Sequence, residues 1–96
     1  MINGNANNFI DHSTYEEVAV MYNDNKYFFR GLLYDKKTHN HYYAIDLWDE
    51  HDHYVETVYR ATAESADECM QQFLSAPIID GKSFWELEKD MEWIEW

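Results

Sequence analysis

Four of the five histidines fall in two H-x-H pairs, His39 with His41 and His51 with His53, and Asp49, Glu50 and Asp52 interleave with the second pair. Neutral imidazole and carboxylate together suit zinc, nickel or copper, and on a strand the i, i+2 spacing turns both rings to one face. The distance between the pairs argues against one shared site. If residues 49–52 form a hairpin turn, Trp48 pairs with His53, and His41 lies seven residues back, roughly 23 Å away at the rise of a strand. Each pair is then incomplete. No metal site is assigned, and the histidines are expected to be structural. A proton response below about pH 6.5, which would partly cancel the negative field, is the alternative.

Other reactive groups point away from catalysis. Cys69 lies inside an apolar helical stripe, which makes it a packed small hydrophobe rather than a nucleophile. Carboxylate pairs are uninformative in a chain with 19 acids, and no glycine-rich loop accompanies them. Asp80-Gly81-Lys82-Ser83 ends like a phosphate-binding loop, but no G-x-x-x-x-G-K-S/T spacing precedes it, so it is expected to be a turn into a capped helix. The chain is expected to be neither an enzyme nor a cofactor binder.

Negative charge is the dominant property. The chain carries 19 Asp and Glu against 7 Lys and Arg in 96 residues, a formal net charge of -12 at neutral pH. Charge of that size opposes compaction by self-repulsion and supplies solubility or recognition through its field. It predicts a basic protein as partner. Direct nucleic-acid binding and anionic membranes are disfavoured, because both need the Lys and Arg that are scarce here. Aromatic residues at 18% exclude a disordered acidic chain. One cysteine forms no internal disulfide, and residues 1–11 lack the basic start and apolar run of a signal peptide, so a cytoplasmic setting is expected.

In size and charge the chain resembles small acidic inhibitors of bacterial defence nucleases, such as anti-CRISPR and anti-restriction proteins, and immunity proteins of nuclease toxins. The resemblance is one of composition and no motif carries it. It implies a protein that blocks a basic, nucleic-acid-binding surface by presenting carboxylates where a phosphate backbone would lie. The residues expected to bind the partner are Glu86, Glu88, Asp90, Glu92 and Glu95 with Trp93 as a desolvated anchor, then Asp46, Asp49, Glu50, Asp52 and Glu56 on the central hairpin. A metal- or pH-responsive histidine module, or an acidic domain with a homo-oligomeric role, is the alternative.

The elements that would position these residues form an α+β domain over residues 13–96, preceded by a mobile polar arm over residues 1–12. Segments 16–22, 26–34, 41–48 and 53–61 are rich in Val, Ile, Tyr, Phe and Trp and are separated by short polar turns, which predicts an antiparallel meander. The first of them also fits an amphipathic helical turn. Ser65 with Glu68 and Ser83 with Glu86 form capping boxes that open two helices. Ala66, Cys69, Met70, Phe73 and Leu74 make the apolar stripe of the first, which Pro77 stops. Phe84, Leu87, Met91 and Ile94, within about 80° of one another, make that of the second. Trp85, Trp93 and Trp96 lie off that face, which is also explained if residues 91–96 are a strand. The expectation is a sheet of three to five strands packed on one face by the two C-terminal helices.

Overall fold

The computed structural model of the chain describes residues 6–95, with Glu95 described by its backbone alone. A helix, α1 (Ala6–Tyr15), leads into the strands β1 (Val18–Tyr22), β2 (Asn25–Asp35), β3 (Asn40–Trp48) and β4 (Tyr54–Ala63). Helix α2 (Ala66–Ser75) follows, then the short strands β5 (Pro77–Ile79) and β6 (Lys82–Ser83), the one-turn helix α3 (Phe84–Leu87) and β7 (Glu92–Glu95). Five strands form one antiparallel sheet in the order β4-β3-β2-β1-β7, and β5 pairs with β6 apart from it.

The turns follow from local chemistry. Asn23 and Asp24 link β1 to β2 with φ of 51° and 65°, the left-handed pair that a two-residue hairpin of the right twist requires. Asp80 and Gly81 repeat this between β5 and β6, with φ of 54° and 71°. Between β3 and β4 the Asp49 carboxylate accepts the backbone N–H groups of His51 and His53, both at 2.9 Å, and Asp52 is left-handed with φ 62°. Asp35 starts the β2–β3 turn in the same manner, accepting the Lys37 N–H at 2.9 Å.

One face of the sheet carries the core. Phe29, Ile45 and Tyr59 stand side by side on β2, β3 and β4, and Tyr43 lies two residues along. Phe73 of α2 stacks on Tyr43 with ring centroids 4.1 Å apart and meets Phe29 edge-on at 6.0 Å. Phe84 of α3 reaches Phe73 at 5.9 Å, and Phe9 of α1 reaches Phe29 at 5.3 Å and Phe84 at 5.7 Å. Phe9, Phe29, Phe73 and Phe84 are fully buried. Each such side chain contributes about 1.5–3 kcal/mol of transfer free energy, and the ring pairs add to it.

Three expectations are corrected. The polar arm expected over residues 1–12 is helical from Ala6; residues 1–5 lie outside the described residues. Phe9 and Ser13, one turn apart, face inward and are fully buried. The cover of the sheet is therefore not two C-terminal helices alone: α1, from the N-terminal side, shares the face with α2 and α3. The helix opened by Ser83 also stops after one turn. Met91 still reaches the core, but Glu92–Glu95 extends along β1. An unpaired β1 edge would leave backbone donors and acceptors without partners, and a strand containing Trp93 and Ile94 satisfies them. The ambiguous first segment is strand from Val18, and the helical signal before it belongs to α1.

Gly31 fixes how α1 sits on the sheet. It occupies a bulge in β2 with φ 90°, and a Cβ there would lie 3.1 Å from the Ser13 carbonyl oxygen and 3.3 Å from that of Glu16. Replacing Gly31 with alanine combines backbone strain with a backbone clash. It should cost about 1–3 kcal/mol, read as a lower urea midpoint at unchanged slope.

Candidate functional site

An antiparallel meander sends alternate connections to the same end of the sheet, so the β1–β2 and β3–β4 turns lie side by side. Between them is an open cleft of about 690 Å³ floored by Met21, Trp48 and Ile94. Its rim carries Asp24 from the first turn and Asp49, Glu50 and Asp52 from the second. Asn23, on the other flank of the first turn, borders a second depression with Asp80, Lys82 and Asp90. Carboxylates from four separate connections thus gather at one end of the molecule.

Lys26 is the cation inside the cleft. Its ammonium donates to Asp52 Oδ1 at 2.7 Å and lies 5.1 Å from the centroid of Phe28, which in turn packs against Trp48 at 4.8 Å. Asp49 is committed to the turn. The N–H of His53 is the main cause that holds its carboxyl below the usual aspartate range; desolvation opposes it, and the N–H of His51 with the two imidazoles adds to the lowering. Asp24 and Glu50 are exposed, and among the described residues neither pairs with a Lys or Arg.

The residues expected to bind a partner divide by this geometry. Asp49, Glu50 and Asp52 rim the cleft, Asp90 borders the second depression, and Glu92 stands opposite Met21 on β7. Glu56 is exposed on the sheet edge, and the Glu95 side chain lies outside the described residues. Asp46 is not at the surface. It is 6% exposed on the face away from the helices, where it accepts the Thr57 hydroxyl at 2.8 Å and faces Arg30 at 3.6 Å. Glu86 accepts the Ser83 N–H at 3.0 Å and caps α3, which lowers its pKa; Glu88 is half-buried. Trp93 is not an exposed anchor. It turns to the core side, 5.2 Å from Phe9 and 5.3 Å from His12. Trp48 and Ile94 supply the apolar surface beside the acids instead.

The histidine pairs occupy opposite ends of β3, as their spacing requires. His41 pairs with Tyr34 and Ala63, and the other end closes with Trp48 opposite Tyr54 rather than His53, because the connection takes five residues, 49–53, rather than four. His51 and His53 rings lie 6.4 Å apart. Among the described residues no three His, Cys, Asp or Glu side chains converge as metal ligands. Cys69 is fully buried, its thiol pKa raised by burial, with Sγ 3.8 Å from the Ala61 carbonyl.

Asp24, Asp80, Lys26 and the apolar floor were not assigned to the site by sequence reasoning. The turn motifs Asn23-Asp24 and Asp80-Gly81 were legible, but only the sheet order brings them beside Asp49 and Glu50. No described helix is long and apolar enough to cross a membrane. Comparison with protein-family models, with curated proteins and with solved structures gives no match to this chain.

The lowered Asp49 pKa makes the β3–β4 turn sensitive to acid. A depressed folded-state value contributes stability above the ordinary value of 3.8 that is lost as pH falls through the folded one. In an NMR titration the amide resonances of His51 and His53 should move together with a midpoint below 3.8; a midpoint at or above that value would contradict the cap.

Proposed function

We propose that this chain is a small, non-catalytic interaction protein that binds and blocks a basic, nucleic-acid-binding surface of a partner protein. Inhibition of a defence nuclease, in the manner of anti-CRISPR or anti-restriction proteins, or immunity to a nuclease toxin is the setting that fits its composition. The reducing cytoplasm is the compartment in which its single buried thiol is at home. The observation that carries the proposal is the gathering of Asp24, Asp49, Glu50, Asp52, Asp80 and Asp90 at one end of the sheet, with two lysines among them. Such a field steers a basic partner and weakens with salt. The C-terminal acids contribute through Asp90 and Glu92, while Asp46 and Glu86 serve the fold.

The test is competition. A nuclease captured from host lysate in a salt-sensitive manner should be displaced by duplex DNA and inhibited by the pure protein. The variant Asp24→Asn/Glu50→Gln/Asp80→Asn/Asp90→Asn should bind it at least about tenfold less tightly and with a shallower salt slope. Asparagine fits the left-handed backbone at positions 24 and 80, so the variant tests charge and not folding. Unchanged affinity and salt slope would reject the proposal.

β4 supports an alternative, homo-oligomeric role. Among the described residues it has a sheet neighbour on one side only, and it exposes Tyr54 by 56% and Val55 by 49%; an edge of this kind pairs readily with a second chain. Sedimentation velocity should then show a dimer that Val55→Lys dissociates; a monomer at all concentrations removes this role.

A further inference from the structure

The acids that rim the cleft are not equivalent. Asp49 is held by two N–H groups of its own turn, and Asp52 by Lys26. Asp24 and Glu50, from turns on opposite walls, have no Lys or Arg among the described residues; Glu50 meets only the His51 ring, at 3.6 Å. The floor between them is apolar and partly aromatic: Met21, Trp48 and Ile94, the last 40% exposed. Resting on the partner-binding role above, we propose that this cleft receives an arginine side chain of the partner, its stem along Met21 and Ile94, its guanidinium against Trp48 and held by Asp24 and Glu50.

Charge complementarity selects a cation, and shape selects which one. A long aliphatic stem is needed to cross an apolar floor, and both arginine and lysine have one. The guanidinium is planar, offers donors in several directions at once, and stacks on an indole, so it can serve two carboxylates on separate walls while covering Trp48. An ammonium is a compact, strongly hydrated point charge that serves one carboxylate well. The chain itself illustrates the second case, since among the described residues Lys26 in this cleft pairs with one carboxylate, that of Asp52, and lies over Phe28. That lysine also fills the position beside Asp52, which leaves Asp24 and Glu50 for the incoming group.

Fluorescence anisotropy of labelled nona-arginine and nona-lysine peptides on the full chain, at low ionic strength, tests the assignment. Wild type should bind nona-arginine about five- to tenfold more tightly than nona-lysine, the factor that one cation–aromatic contact with a charge-assisted hydrogen bond supplies. Asp24→Asn/Glu50→Gln should abolish that preference. Asp67→Asn/Glu68→Gln, which removes the same charge from the start of α2 at the other end of the sheet, should weaken both peptides slightly and equally. The Trp48 indole N–H resonance should shift with nona-arginine and stay nearly still with nona-lysine. Equal affinity for the two peptides in wild type, or equal losses in the two variants, would overturn the arginine site and leave the acidic-surface proposal standing. Failure of wild type to bind either peptide would overturn both.

Discussion

Phe73 meets Phe29, Tyr43 and Tyr59 on three neighbouring strands and Phe84 on α3. It therefore sets the height and angle at which α2 lies on the sheet. Phe84, placed by that contact, stacks on Phe9 and so also locates α1. A helix of ten residues is marginal in water by itself, so α1 and α2 each depend on this shared aromatic layer for their existence. Met91, buried beneath the turn that follows α3, ties the chain to the same core before it departs along β1. The edge strand β7, and with it the Ile94 part of the floor of the acidic cleft, is thereby a consequence of how rings pack several residues away.

The core has to outweigh the repulsion of a net charge of -12, and the distribution of that charge makes the task easier. Most carboxylates stand on turns and helix exteriors, where water screens them, and Glu56 and Glu92 stand exposed on edge strands. Asp46 is the buried exception, and it is compensated by the Thr57 hydroxyl and Arg30. The sheet face without helices is closed differently. Arg60 lies 4.6 Å over Tyr42 and Lys26 over Phe28, so cationic side chains cover aromatic rings that would otherwise face solvent. Three of the few basic residues, Lys26, Arg30 and Arg60, are spent on this face. The turn end that carries the acids is left with little internal neutralisation.

Much of this architecture is visible in local sequence. The hairpin turns, the Ser65 cap, which accepts the Glu68 N–H at 3.2 Å, and the Cys69–Phe73 stripe all follow from nearest-neighbour rules. The failures have a common cause, which is that the deciding partner lies elsewhere in the chain. Residues 6–15 offer Phe9 and Ile10 as their only large aliphatic or aromatic inward groups, too few to announce a helix until Phe29 and Phe84 supply a surface for them. Residues 84–94 have a genuine helical period, yet the open edge of β1 claims the last four described residues. Asp46 reads as one acid among many, and only the register that sets it between Phe28 and Thr57 explains its burial. The cleft is the least legible feature, because its walls come from turns that meet only after the sheet has formed.

Asp24, Asp52 and Asp80 all occupy the left-handed region of backbone conformation, where asparagine or glycine would sit at least as comfortably. A short side chain with two torsions, mounted on a tight turn, can wander little. The negative charges at this end of the molecule are therefore preorganised by the main chain, and docking a cation there sacrifices less side-chain entropy than it would among long glutamates. The surface is less a diffuse cloud of charge than a rigid template, whose spacing the partner proposed above would have to match.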